Sequence, residues 1–192
     1  MILSEKFDRA YLLAAELHRE QKRKNIPTPF IAHLLAVSSI VAENTEDEDL
    51  VIAAMLHDAV EDQGGFPTLK RIREEFGERV AEIVFACTDS TEMPRPPKAE
   101  RNRVYLEKLK DAPPEVHLLS CADKIHNLRC MYADFLLLGD ELWRPFSSAP
   151  ANIIANYQNL LLLYQEHIPE SRLVRLFEEE LAKLIQIYKQ QT

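Results

Sequence analysis

Four polar side chains stand inside otherwise apolar runs of this sequence: His33 in FIAHLLAV, His57 and Asp58 in LVIAAMLHDAVED, and Asp123 directly after VHLLSCA. Burying such groups is costly unless they find partners. Singly, each has an ordinary explanation: a hydrogen-bonded core histidine, or a carboxylate that caps a helix or pairs with a cation. Together, two imidazoles and two carboxylates make a mixed nitrogen and oxygen donor set suited to a borderline-hard divalent ion such as Mn, Fe, Zn or Co. Neighbours on one helix point about 100° apart, so His57 and Asp58 can both reach an ion lying between their directions. His33 and Asp123 would arrive from adjacent helices, as ligands do in the metal sites of helical bundles.

The segment HDAVED carries further acid. Glu61 follows His57 by four residues and Asp62 follows Asp58 by four, so each pair shares a helix face. So many acidic and ligating groups in so short a stretch would repel without a cation, and an ion at His57 and Asp58 supplies one. Glu61 and Asp62 are then placed to orient or deprotonate a water; the alternative is a solvated acidic helix end ahead of Gly64 and Gly65. Asp123 opens DKIHNLR, where His126 and Asn127 fall three and four residues on, along the same face. Asn127 suits a hydrogen bond to a sugar or base, or a bridge between helices. His126 reads as a structural residue or a support for a ligand, and Lys124 and Arg129 as solvated cations.

Helices have to carry these groups. Apolar positions recur at helical intervals through Phe7, Ala10, Tyr11, Ala14, Leu17 and His18. This first helix is expected to fade near Lys24, because Pro27 and Pro29 follow. A second starts close to Phe30 and runs through IAHLLAVSSIVAEN. A third carries DLVIAAMLHDAVED as one helix, closed by Gly64, Gly65 and Pro67. Thr68 is placed to N-cap a fourth, LKRIREEF, which Gly77 ends, and a fifth begins near Glu78. Residues 88–100, TDSTEMPRPPKAE, hold three prolines and form a loop of a length that often serves function. Helices resume over 101–111, 115–138, 150–167 and 171–190. The last bears a stripe, Leu173, Leu176, Phe177, Leu181, Leu184, Ile185 and Tyr188, that suits packing against the body of the domain or a homodimer interface. With no alternating strand, repeat or linker, the expectation is an all-α fold, a single compact multi-helix domain over residues 1–192.

Composition narrows the function classes. The chain has 192 residues, 46% hydrophobic and 28% charged, which excludes intrinsic disorder and supports a sizeable core. Only 4 glycines argue against a turn-rich β-sandwich and against a glycine-rich phosphate loop. A net charge of −8 argues against any nucleic-acid polymer as partner. An anionic ligand must therefore be met by local cations or a metal. Cys87, Cys121 and Cys130 are odd in number and lack CxxC spacing, so free thiols are expected rather than disulfides or a zinc knuckle. The N-terminal MILSEKFDRAYLL lacks a signal-peptide core, and no apolar run approaches a membrane span, which predicts a cytoplasmic protein without a membrane partner.

The order His33, His57-Asp58, Asp123 resembles the H…HD…D signature of the HD phosphohydrolase superfamily. Local words narrow the resemblance. QKRKNIPTPFIAH is similar to the first motif of the hydrolase domain in RelA/SpoT-type (p)ppGpp metabolism, MLHDAVEDQ at 55–63 to its LLHDxxEDT, and ADKIHNLR at 122–129 to its ADRLHNMR. The match spans residues 18–130. Short members made of this hydrolase domain alone are the small alarmone hydrolases, the Mesh1-like proteins. The resemblance implies an all-α HD fold that binds one Mn²⁺, with other divalent ions as alternatives, through His33, His57, Asp58 and Asp123. It implies that Glu61 and Asp62 position the attacking water, that Arg23 and Lys24 line the guanine and phosphate side, and that Asn127 lies near the nucleoside. The implied reaction releases pyrophosphate from the ribose 3′ position of (p)ppGpp, leaving GDP or GTP.

The pyrophosphate leaving group needs cations beyond the metal. Lys22, Arg23 and Lys24 are candidates on one side; Lys98, Arg101 and Arg103 are candidates on the other, where a proline-stiffened loop ending in cations would make a lid. Tyr157 suits stacking on a base or a core position. Two departures from the family pattern, PFIAHL for PYIxHP and the proline-rich EMPRPPKAER loop, touch no ligand and bear on substrate identity. The chain's length leaves no room for a synthetase domain, so no pyrophosphate transfer from ATP is expected. Two other readings compete: an HD phosphohydrolase for another nucleotide, such as NADPH, a deoxynucleotide or a nucleoside monophosphate, and a non-catalytic HD domain that senses a nucleotide. The HDxxED pattern argues against the second, because a pure binder has no need of paired carboxylates beside the ion.

Overall fold

The computed structural model describes residues 1–92 and 94–190. Met93, inside the loop expected at 88–100, and the C-terminal Gln191 and Thr192 lie outside the described residues. Among those described there are ten α-helices, a 3₁₀ turn and no strand. The helices are α1 (Glu5–Leu17), α2 (Ile31–Ala42), α3 (Glu48–Leu56), α4 (Ala59–Asp62), α5 (Phe66–Phe76), α6 (Glu78–Cys87), α7 (Lys98–Lys110), α8 (Pro114–Leu138), α9 (Pro150–His167) and α10 (Arg172–Lys189), with the 3₁₀ turn at Gly139–Trp143 between α8 and α9.

Local chemistry sets several of these boundaries. Ser4, Asp47 and Ser171 accept hydrogen bonds from the free backbone N–H groups that open α1, α3 and α10. Pro114 and Pro150 sit in the first turns of α8 and α9, where no N–H is missed. Gly77 and Gly139 end α5 and α8 at φ 93° and 56°, a backbone region that residues with a Cβ rarely adopt.

Helix α3 is the axis of the fold. Leu50 through Leu56 are all buried, so the helix is apolar on every side and must be enclosed. Helices α1, α2, α6 and α8 pack around it. The long α8 joins this group to a second layer formed by α9 and α10. The stripe on α10 is used within the chain: Leu173, Phe177, Leu181 and Leu184 are buried, and the helix lies against α8 and α9. Phe177 is fully buried, edge-on to Tyr164 at 5.2 Å between ring centroids. Phe177→Ala is expected to cost about 3–5 kcal/mol of stability, read as a lower urea midpoint at an unchanged slope.

Several boundaries differ from the sequence expectation. Helix α1 ends at Leu17, not near Lys24. The His18 ring stacks on Phe30 at 5.1 Å, and backbone bonds Phe30 N–H to Gln21 O and Arg23 N–H to Thr28 O close residues 21–30 into a loop. Those cross-loop bonds take the backbone groups a longer helix would need. The third helix is broken: α3 stops at Leu56 and α4 starts at Ala59, with Asp58 at φ −93°, ψ −4° between them. Thr68 is not an N-cap. Gly65 precedes α5, and the Thr68 hydroxyl inside its first turn donates to the Gln63 carbonyl. The proline-rich loop ends at Pro97, and α7 begins at Lys98.

Candidate active site

The break between α3 and α4 turns His57 and Asp58 toward one point. His57 Nδ1 lies 2.8 Å from the Ala54 carbonyl, which fixes the ring with Nε2 facing inward. His33 projects from the first turn of α2 and Asp123 from the middle of α8. Donor atoms of His33, His57 and Asp58 lie within 4.8 Å of one another. His33 Nε2 is 3.4 Å from Asp58 Oδ2 and 3.2 Å from Asp123 Oδ1; His57 Nε2 is 3.2 Å and 3.7 Å from the same two oxygens. Four side chains from three segments of the chain therefore converge.

The electrostatics of this cluster are those of a cation site. Burial alone would drive the His57 ring neutral, yet the Asp58 and Asp123 carboxylates hold its pKa well above the ordinary value. Burial would likewise raise Asp58, but His57 and His33 hold it far below the usual carboxylate range. Asp123 is held low against the same penalty, chiefly by Lys124 and the two imidazoles. Positive charge is thus demanded at this point. His57 Nε2 is buried and has no hydrogen-bond partner among the described residues. An orphaned ring nitrogen facing two carboxylates fits a divalent ion, so His33, His57, Asp58 and Asp123 could hold one.

Glu61 and Asp62 lie beside this cluster on α4, and the loop between α6 and α7 covers them. Glu61 Oε2 accepts from the Asp89 backbone N–H at 3.3 Å. Asp62 accepts from Gln21 Nε2 at 2.7 Å and from Arg95 at 2.7 Å. Arg95 also donates to the Glu61 carbonyl and, at 3.3 Å, to Glu61 Oε1. Burial, then the neighbouring charges of Asp58, Asp89 and Asp62, push Glu61 up to about 7.

These groups floor a cleft of about 420 Å³. Lys22, Arg23, Lys24, Lys98, Arg101 and Asn127 all line it, whereas Arg103 is exposed on α7 and does not. Arg23 donates to Asn127 Oδ1 at 2.7 Å, and Asn127 Nδ2 donates to Asp123 Oδ1 at 2.6 Å. Arg101 pairs with Asp89 at the start of the loop. Tyr157 packs against the core, 6.1 Å from Phe177 between ring centroids, and also lines the cleft. Phe146, Ile153 and Leu160 add an apolar wall.

Lys124 corrects the sequence reading. It is not solvated: its Nζ lies 2.5 Å from Asp123 Oδ2 and 5.3 Å from the centre of the Tyr105 ring, because that carboxylate and ring draw it into the cleft. Arg129 is exposed but pairs with Glu180 of α10 at 3.2 Å. Asp89 and Arg95 were missed altogether. The only signal was a single arginine held between Pro94 and Pro96, with no periodicity to say where it would reach.

The fold and this site define a member of the HD domain family: the family model matches residues 10–141, a span that contains all four converging residues, and the chain belongs to that family. Among its relatives is guanosine-3′,5′-bis(diphosphate) 3′-pyrophosphohydrolase MESH1 of Homo sapiens, 38% identical over 119 residues that make up 60% of this chain and 64% of that protein. Another is the guanosine-3′,5′-bis(diphosphate) 3′-pyrophosphohydrolase of Aquifex aeolicus, 36% identical over 67% of this chain and 18% of that protein. The chain thus spans less than two thirds of the length of these relatives. A solved structure of a metazoan ortholog of SpoT, reported to hydrolyse ppGpp and to play a role in starvation responses, superposes on 100% of this chain and 98% of its own with a TM-score of 0.75 at 25% identity. The all-α fold and the family membership that the motifs implied are both borne out. Among the described residues, no helix is long and apolar enough to cross a membrane.

Proposed function

We propose that this chain is a manganese-dependent 3′-pyrophosphohydrolase of guanosine 3′,5′-bis(diphosphate) and its pentaphosphate relative, working in the cytoplasm as one HD phosphohydrolase domain over residues 1–192. The observation that carries this reading is the convergence of His33, His57, Asp58 and Asp123 within a few ångströms, with Glu61 and Asp62 beside them in a cation-lined cleft. When bound, a divalent ion there lowers the pKa of a water and withdraws charge from a phosphoryl oxygen.

This chain's own residues supply the rest. Glu61 takes the proton of the attacking water, since a carboxyl group pushed up to about 7 is basic enough to accept one near neutrality. Asp62, tied to Gln21 and Arg95, orients that water rather than removing its proton. Arg95, Lys98 and Arg101 on one side, with Arg23 and Lys24 on the other, neutralise the departing pyrophosphate. Asn127 and the wall formed by Phe146 and Ile153 receive the nucleoside. Arg95→Ala is expected to raise KM for ppGpp about tenfold, the loss of one charge-assisted contact.

The deciding experiment offers the purified chain, with Mn²⁺, a panel of ppGpp, NADPH, deoxynucleoside triphosphates and nucleoside monophosphates. Pyrophosphate and GDP appearing from ppGpp carry the proposal. Phosphate released only from another member of the panel assigns a different substrate to the same site, and no turnover of any member leaves a nucleotide-binding domain.

A further inference from the structure

The His33 ring has two nitrogens, and both are engaged. Nε2 faces Asp58 and Asp123, while Nδ1 lies 2.8 Å from Nδ1 of His126. Two ring nitrogens at that separation share one proton: one must donate and the other accept. If His33 Nε2 is to offer its lone pair to a cation, the ring's proton must sit on Nδ1. His126 Nδ1 must then be the acceptor, and its own proton must sit on Nε2.

We infer that His126 is a positioning residue that fixes the tautomer and rotation of His33 by accepting its Nδ1 proton; the inference rests on the metal-site reading above. The surroundings favour it. Cys130 Sγ lies 3.7 Å from both nitrogens of His126 and is compatible with a proton on Nε2. The rings of His33 and His126 are 4.9 Å apart and tilted by 43°, so they do not stack face to face. His57 solves the same problem with a backbone carbonyl, that of Ala54. His33 uses a side chain instead, and a side chain can be changed by mutation.

Calorimetric titration of Mn²⁺ into metal-free protein, without substrate, tests this. His126→Leu keeps bulk but removes the acceptor, and is expected to weaken Mn²⁺ binding about 10–100-fold. His126→Asn places an amide oxygen where Nδ1 stood and is expected to return affinity to within a few-fold of the parent. In the Zn²⁺-loaded parent, nitrogen-15 NMR is expected to show the His33 proton on Nδ1. A His126→Leu protein that keeps its fold by circular dichroism and binds Mn²⁺ like the parent overturns the inference. So does His126→Asn binding as weakly as His126→Leu, or a His33 proton found on Nε2. Asp58→Ala separates the two levels: if the parent binds Mn²⁺ and Asp58→Ala does not while His126→Leu does, only the role of His126 fails. If the parent itself binds no divalent ion, the metal reading fails and this inference falls with it.

Discussion

Asp58→Ala is expected to lose divalent-dependent hydrolysis by about three orders of magnitude or more, because a metal ion contributes several kcal/mol of charge stabilisation and each 1.4 kcal/mol is about tenfold in rate. The carboxylate sits at the break between α3 and α4, with Oδ2 3.4 Å from His33 Nε2 and 3.2 Å from His57 Nε2. Removing it takes away one of two anions that create the demand for positive charge. A second measurement needs no substrate. A ligand that binds only the folded state raises stability by about 2.7 kcal/mol at a hundred times its Kd, so Mn²⁺ should raise Tm of the parent and leave that of Asp58→Ala unmoved. If the variant keeps both the activity and the Mn²⁺-induced rise, the four side chains are not ligands.

Glu61→Gln is expected to lower kcat by about 10²–10⁴-fold, the usual worth of a positioned general base, while the Mn²⁺-induced rise in Tm remains. Glutamine keeps the size and the contact with the Asp89 N–H but cannot take a proton. The pH profile gives an independent readout. A base must be ionised to act, so activity rises with pH through the pKa of Glu61 and levels off above it. Burial, Asp58, Asp89 and Asp62 push that group up to about 7. A cation at the neighbouring cluster favours the carboxylate, so the acid limb of kcat/KM should lie at or below about pH 7. That limb should be missing from the residual activity of Glu61→Gln. A variant that turns over at the parental rate would move the proton-accepting role to another group.

Much of the site could be read without coordinates because its signals are compositional. His33, His57, Asp58 and Asp123 are conspicuous as polar residues in apolar helices, and that contrast survives any arrangement of those helices. The pairing of Glu61 and Asp62 with the cluster follows, in the sequence, from a four-residue spacing on an unbroken helix. The helix in fact breaks at Asp58, yet the carboxylates still lie beside the site, because the short α4 keeps them one turn beyond the break. Lys124 shows where such reading fails. Its position next to Asp123 on α8 gives no hint that the Tyr105 ring of α7 and the Asp123 carboxylate hold it in the cleft. Arg95 fails in a different way: a residue between prolines has no periodicity, and its reach to Glu61 and Asp62 depends on how the loop crosses α4.

Helical periodicity, capping residues and prolines act over a turn or two of chain and yield the all-α class and most helix cores, while the contrast of polar residues within apolar runs yields the four candidates for a cation site. Which atoms meet is a property of packing. His33 reaches His126 across 93 residues and Arg23 reaches Asn127 across 104, contacts set by how α2, the 21–30 loop and α8 close around the enclosed α3. The early end of α1 was decided the same way: backbone bonds across the 21–30 loop and the His18–Phe30 ring contact, available only in the folded chain, replaced those that a longer helix would have made.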